Sequence, residues 1–204
     1  MNGLSIIWQA IDRVVVFIGG GNVATRHVKK FVTSGASVVV ISPTLTEELA
    51  ELSREHVITW EKRKVSPNET FESDIVMATT NDRELNQALT ESKQPRQWIY
   101  NASDASTSDF SFPFTYERGN FTLSMTTSGA SPTYTKQLLN EVTKHLPDTL
   151  EEDLLYLRAV RDKIKLLAID NEVKKELLQT VATERFLRTE SREASLQQLF
   201  NEKC

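Results

Sequence analysis

Val14-Val-Val-Phe-Ile-Gly-Gly-Gly-Asn-Val-Ala24 is the stretch that decides how this chain is read. Five apolar residues run into three glycines, and Asn22-Val23-Ala24 then open a helical pattern. Spaced as Gly19-x-Gly21-x-x-Ala24 after a strand, this is the fingerprint of a dinucleotide-binding turn. Gly19 permits the tight turn, Gly21 lets a pyrophosphate approach the backbone, and Ala24 lets helix and strand pack closely. The free N–H groups and positive end of the helix then face the phosphates. An ordinary strand-to-helix glycine turn is the competing reading. Strand, glycines and helix in the right order favour the nucleotide.

Composition bounds the rest. The chain has 204 residues, 39% hydrophobic and 25% charged, which fits one globular domain with an appendage or two small domains. A net charge of −4 argues against a nucleic-acid binder, which would present a basic face. No apolar run approaches the roughly 20 residues that span a bilayer. The start, Met1-Asn-Gly-Leu-Ser-Ile-Ile-Trp8, lacks a basic n-region and a long apolar core, so no export signal is expected and the cytoplasm is the default. Cys204 is the only cysteine, which rules out an internal disulfide and disfavours a zinc site built on cysteine.

Along the first hundred residues, strand and helix patterns alternate as in a parallel α/β sheet. Strands are expected at 13–18, 37–41, 58–62, 74–78 and 98–102. Helices are expected at 22–34, 46–54 and from Asp82 to about Ser92, with Gly35 capping the first. Beyond residue 110 come extended segments on either side of Glu117-Arg118-Gly119-Asn120, then Thr127-Ser-Gly-Ala-Ser-Pro132 and a helix to about His145. Pro132 suits the first helical turn. Asp148 and Glu151 have the spacing of a capping box, with Leu150, Leu154, Leu157 and Ile164 as the apolar stripe behind them. Further helices are expected near Asp170 and at 192–200. The divisions drawn are 1–112, 113–147 and 148–204.

One departure from the fingerprint is informative. NAD-binding folds usually place an acid at the end of the second strand, on the ribose hydroxyls. Here that strand ends Ile41-Ser42-Pro43-Thr44, with neither an acid nor an arginine. Backbone groups, Ser42 or Thr44 are left to hold the ribose, and NAD and NADP both stay open.

Gly19-Gly-Gly-Asn-Val-Ala24, Gly35-Ala36, Ala78-Thr-Thr-Asn-Asp82, Asn101-Ala-Ser-Asp104, Phe112-Pro113, Gly119 and Thr127-Ser-Gly-Ala-Ser-Pro132 occur in one order over residues 13–146. The set resembles the precorrin-2 dehydrogenase / sirohydrochlorin ferrochelatase family of siroheme biosynthesis, in its short stand-alone form. The resemblance implies a Rossmann-type parallel sheet domain, a small α+β dimerisation region and a C-terminal helical module. It implies oxidation of precorrin-2 to sirohydrochlorin by NAD, in some members followed by insertion of Fe²⁺ as a substrate, in a homodimer.

By the same resemblance, Asp104 is the catalytic carboxylate, with Asp109 the easiest residue to mistake for it. Gly19, Gly20, Gly21, Asn22 and Val23 form the phosphate loop. Ser42, Pro43 and Thr44 lie on the adenosine side, and Ala78, Thr79, Thr80 and Asn81 on the far side of the cofactor. Asn101, Ser128, Gly129, Ser131 and Lys136 are assigned to the tetrapyrrole. That substrate carries many carboxylates, so Arg26, Lys136 and the cluster Lys62-Arg63-Lys64 are candidate cations, each equally a solvated surface charge. His27, His56 and His145 lack metal-ligand spacing and are read as surface or helix residues, with no protein-bound metal. Two rivals remain: a non-catalytic NAD-sensing module, which leaves the Asn101–Asp104 and Ser128–Pro132 boxes unexplained, and a small-substrate dehydrogenase, which lacks its substrate domain.

Overall fold

In the computed structural model, which describes residues 3–203, five strands form one parallel sheet. Its strands are β1 (Val14–Ile18), β2 (Ser37–Ile41), β3 (Thr59–Glu61), β4 (Ile75–Ala78) and β5 (Trp98–Asn101), in the order β3-β2-β1-β4-β5. Every pairing is parallel, with Ile18 beside both Ile41 and Ala78, and Ala78 beside Asn101. β1 therefore sits where the strand order reverses, and the crevice of such a sheet opens beyond the carboxyl ends there.

The central strands β1, β2 and β4 are almost wholly apolar because both faces are covered, whereas the edge strand β3 is Thr59-Trp60-Glu61 and only partly covered. One face packs Val15, Phe17, Val38, Val40, Ile75 and Met77 against Ala24, Val28 and Phe31 of α1 (Asn22–Thr33) and Leu49 of α2 (Glu47–Arg54). The other packs Val16, Ile18, Val76 and Ile99 against Leu89 of α3 (Arg83–Glu91). Thr46 and Asp82 are the N-caps of α2 and α3, accepting from the backbone N–H of Leu49 and Leu85. Gly35 follows α1 with φ +83°, the left-handed conformation expected of it.

The chain divides into two compact units, Met1–Phe112 and Pro113–Cys204. The second begins with a hairpin, β6 (Phe114–Arg118) and β7 (Phe121–Met125), joined through Gly119 and Asn120. α4 (Pro132–Thr143) follows with Pro132 in its first turn and Ser131 as cap. α5 (Leu150–Leu166), α6 (Asn171–Val181), α7 (Glu184–Leu187) and α8 (Arg192–Lys203) enclose a separate core of Val160, Ile164, Leu177, Val181, Phe186 and Leu196. The Rossmann-type sheet domain and the trailing helices hold as expected, while α7 was not anticipated.

One local expectation fails. Asp148 and Glu151 do not form a capping box: α5 starts after Thr149, which makes no side-chain cap. The Thr149 hydroxyl donates instead to Asp153 Oδ2 at 2.8 Å, and Asp153, buried, takes Arg188 and Arg192 at 3.0 and 2.6 Å. That buried ion network, not the local motif, orders the first turn. His27 is a helix residue, as read, and it is buried. It is 6% exposed, with its ring 4.2 Å from Phe112 and 5.5 Å from Tyr100, and Nδ1 has no partner. Burial, aided by Lys30 and Arg26, lowers its pKa from 6.5 to about 4. His56 and His145 are exposed. The terminal Cys204 lies outside the described residues.

Candidate functional site at the carboxyl edge of the sheet

Backbone hydrogen bonds bring the expected segments of the first unit side by side. Gly19 N–H donates to Ile41 O at 3.0 Å, Thr79 N–H to Ile18 O at 2.9 Å and Ala102 N–H to Ala78 O at 2.9 Å. The turns after β2, β1, β4 and β5 consequently line one edge. They carry Ser42–Thr44, Gly19–Val23, Ala78–Asn81 and Asn101–Asp104.

The three glycines differ in why they are glycine. Gly19 has φ +109°, and a Cβ there would lie 2.8 Å from Thr79 O. A Cβ on Gly20 would lie 2.5 Å from Thr44 O and 2.6 Å from Leu45 Cδ2. Both are dictated by the protein's own packing. Gly21 is not: its φ is −90°, which any residue adopts, and a Cβ would meet nothing within 4 Å. The space over Gly21 is open, so no neighbour among the described residues requires a glycine there.

Gly21 is also the N-cap of α1, and it supplies no side-chain cap; no acid stands in the first turn. The N–H groups of Asn22, Val23 and Ala24 have no intrahelical acceptor. No acid in the first turn competes for them, which suits a pyrophosphate. Asn22 and Val23 are exposed. Thr25, just inside, bonds Thr46 through their hydroxyls at 2.8 Å, and Thr46 N–H donates to Gly20 O at 3.0 Å, so α2 braces the loop.

On the β2 side, Ser42 is buried while Pro43 and Thr44 are exposed. The Ser42 carbonyl accepts from Trp60 Nε1 at 3.0 Å. Of the nearby cations, Arg63 is held by Glu61 and Glu69 at 2.8 and 2.7 Å, and Lys62 lies 5.6 Å over the Trp60 ring. Those two are accounted for within the protein. Arg26 and Lys136 are exposed and form no ion pair among the described residues.

Asp104 ends the turn after β5 and caps a single 3₁₀ turn, Ala105–Thr107. Its Oδ1 accepts from Ser106 N–H at 2.8 Å and from Ser106 Oγ at 2.7 Å. These bonds, with Arg83 nearby, hold its carboxyl below the usual range. Oδ2 has no partner among the described residues, so an ionised, exposed oxygen stands at the edge. Asp109 is different: its carboxylate accepts from Ile99 N–H at 2.8 Å and Lys93 Nζ at 2.6 Å. It closes the edge strand and leaves no oxygen to act on a ligand.

Asn101 is 2% exposed, and its side chain is fully engaged with its own turn. Oδ1 accepts from the N–H of Ser103 and Asp104 at 2.9 and 3.3 Å, and Nδ2 donates to Thr107 Oγ1 at 3.0 Å. Asn86, on the buried side of α3, was not anticipated. It is 0% exposed and joins the turn after β4 to Ser103. The only signal in the sequence was an amide between Leu85 and Leu89 on the apolar face.

Ser128, Gly129, Ser131 and Lys136 belong to the second unit. Ser128 and Gly129 have φ +53° and +84°, and Ser131 accepts from Tyr134 N–H at 3.2 Å at the start of α4. Among the described residues no three His, Cys, Asp or Glu side chains converge as a metal site, and no helix is long and apolar enough to cross a membrane.

Comparison with known proteins agrees with this geometry. An NAD(P)-binding family model matches residues 6–114. The precorrin-2 dehydrogenase of Bacillus subtilis is 32% identical over 149 residues, 73% of this chain and 92% of that protein. The precorrin-2 dehydrogenase of Priestia megaterium is 27% identical over 174 residues, 85% of this chain and 86% of that protein. A siroheme synthase of Zymomonas mobilis is 30% identical over 151 residues, but these make up 32% of its length. Among solved structures, "SirC, precorrin-2 dehydrogenase" superposes with a TM-score of 0.85 at 24% identity, covering 98% of this chain and all of that one, a likeness of fold.

Proposed function

Since the chain belongs to the precorrin-2 dehydrogenase family, we propose that it oxidises precorrin-2 to sirohydrochlorin with NAD as the hydride acceptor. One observation carries the reading. The open, uncapped helix end at Gly21 and the unpaired oxygen of Asp104 stand on the same edge of one sheet.

When bound, NAD accepts the hydride. The chain's residues do the remaining work. Gly21 leaves room at the backbone, and the first-turn N–H groups of α1 neutralise the phosphates. Ser42, Pro43 and Thr44 receive the adenosine side, and the turn Ala78–Asn81 receives the nicotinamide side. The substrate surrenders a hydride and a proton. Asp104, held ionised by Ser106, takes the proton on Oδ2 as a general base. Arg26, exposed and without an ion pair among the described residues, meets a carboxylate of the tetrapyrrole.

Two finer points belong to the same proposal. The chain works as a homodimer through residues 113–147. The support is an apolar stripe on α4, Tyr134, Leu138 and Val142 at four-residue spacing, all exposed. Ferrous iron enters as a second substrate, with the same Asp104 oxygen receiving the pyrrole N–H protons.

The test is direct. Anaerobic protein with precorrin-2 and NAD⁺ develops sirohydrochlorin absorbance; no change with active substrate refutes the oxidation. Sirohydrochlorin with Fe²⁺ is metallated faster than the protein-free control, and equal rates remove the chelatase step. A monomeric mass in solution removes the dimer.

A further inference from the structure

The turn bearing Thr80 and the turn bearing Asp104 are joined by one buried amide. Asn86 Oδ1 accepts from Thr80 N–H at 3.3 Å and Thr80 Oγ1 at 2.7 Å, while Nδ2 donates to Thr80 O at 3.0 Å. The same Nδ2 donates to Ser103 Oγ at 2.6 Å. This orientation of the amide is the only one that serves both the N–H and the carbonyl of Thr80. Ser103 N–H is in turn fixed by Asn101 Oδ1, which also accepts from Asp104 N–H. Thr80, Asn86, Ser103, Asn101 and Asp104 thus form one continuous chain of hydrogen bonds.

A fully buried amide is stabilising only when all of its bonds are made, so this one tolerates little displacement. The β4–β5 pairing does not itself fix these two turns, because its register ends at Ala78 beside Asn101. Beyond that point Ala102 N–H to Ala78 O is the last ladder-like bond, and the Asn86–Ser103 contact ties the turns together.

Resting on the oxidation proposed above, we propose that Asn86, acting through Ser103, is a positioning residue that sets the Asp104 carboxylate against the Thr80 side of the cofactor crevice. Hydride and proton leave one substrate, so their two acceptors need a fixed separation; a displacement of about 1 Å in such an arrangement costs up to about a hundredfold in rate. Asn101 does the same for the Asp104 backbone. Its place in this network, rather than contact with the tetrapyrrole, explains its burial.

Ser103→Ala in the full chain removes the hydroxyl that Asn86 grips and leaves the Asn86–Thr80 pair intact. The expected result is a kcat for precorrin-2 oxidation lowered by on the order of tenfold, with KM for NAD⁺ unchanged and a lower melting temperature, because the buried Asn86 Nδ2 loses an acceptor. Ser103→Thr, which keeps the hydroxyl, returns kcat to near the wild-type value. Asn86→Ala lowers kcat further, and the Ser103 pair decides the matter if that variant does not fold. A wild-type kcat in Ser103→Ala overturns the inference, as does a deficit that Thr fails to restore or one accompanied by an equal rise in KM for NAD⁺. If wild-type protein itself leaves precorrin-2 unchanged, the oxidation is wrong and this inference falls with it. If the wild type turns over and Ser103→Ala equals it, only the positioning role falls.

Discussion

Acidification from pH 7 to pH 4.5 should destabilise the first unit through one residue, His27. The ring is 6% exposed among Tyr100 and Phe112, and burial is the largest cause of its depressed pKa, with Lys30 and Arg26 adding to it. In the unfolded chain the imidazole takes its proton near 6.5, whereas in the folded protein it does so at about 4. Between those values the unfolded state binds the extra proton, so stability rises with pH in this window. It is fully present above pH 6.5 and is lost as pH falls towards 4. At about 1.4 kcal/mol per pH unit, the whole interval corresponds to roughly 3 kcal/mol. Residual solvent screening at the helix surface brings the expected loss by pH 4.5 to about 2 kcal/mol. The assay is urea unfolding at a series of pH values for wild type and His27→Leu. Leu is close in volume, suits a helix and cannot titrate. Carboxylates titrate alike in both proteins, so the difference in slope isolates the imidazole. Equal slopes for the two proteins, or wild-type stability that rises on acidification relative to the variant, would refute the argument.

Other expectations follow from the same geometry. Gly21→Ala should fold within about 1 kcal/mol of wild type yet bind NAD at least about tenfold more weakly in a fluorescence titration. Gly20→Ala, driven into Thr44 O and Leu45, should lose roughly 2 kcal/mol or more in a denaturant melt. Asp104→Ala should lower turnover by about a hundredfold or more without changing the melting temperature, whereas Asp109→Ala should lower the melting temperature by freeing Ile99 N–H and Lys93. Because the Asp104 carboxyl lies below its usual range, stopped-flow rates should be flat from pH 8 to 5, with the acid limb appearing only below the ordinary carboxylate pKa. Asp153→Ala should destabilise the second unit by about 3 kcal/mol in chemical unfolding, since it leaves Arg192, whose side chain is 18% exposed, without its counter-charge.

The sheet was legible because each strand covered on two faces reads as an unbroken apolar run, and glycines punctuate the first turn. Val14–Ile18 and Ser37–Ile41 carry their own boundaries. What the sequence hid were polar side chains whose fate depends on distant partners. Asn86 reaches Ser103 across 17 residues, and Gln97 reaches Ser73 and Phe71 across 24 and 26. No local window reveals such pairs. The burial of His27 was hidden for the same reason: the two rings against it, Tyr100 and Phe112, arrive from the far end of the unit. The Asp148–Glu151 spacing misled because a short motif competes with Asp153, which the remote Arg188 and Arg192 claim. The segments of the candidate crevice were readable as motifs. The division of labour within them, with Asp109 structural, Asp104 exposed and Gly21 unconstrained, needed coordinates.

The bare start of α1 has a consequence for the protein's lifetime in the cell. Thr46, Asp82, Ser131, Asp170 and Thr183 each finish a helix with a side-chain oxygen, and α1 has none. In the proposed cofactor site a nucleotide phosphate would supply the missing cap, and its binding free energy would add to folding. At a hundred times the dissociation constant that addition is about 2.7 kcal/mol, enough to lower the unfolded fraction open to proteases by roughly a hundredfold. The coenzyme of the proposed reaction would thereby also protect the chain that binds it from proteolysis.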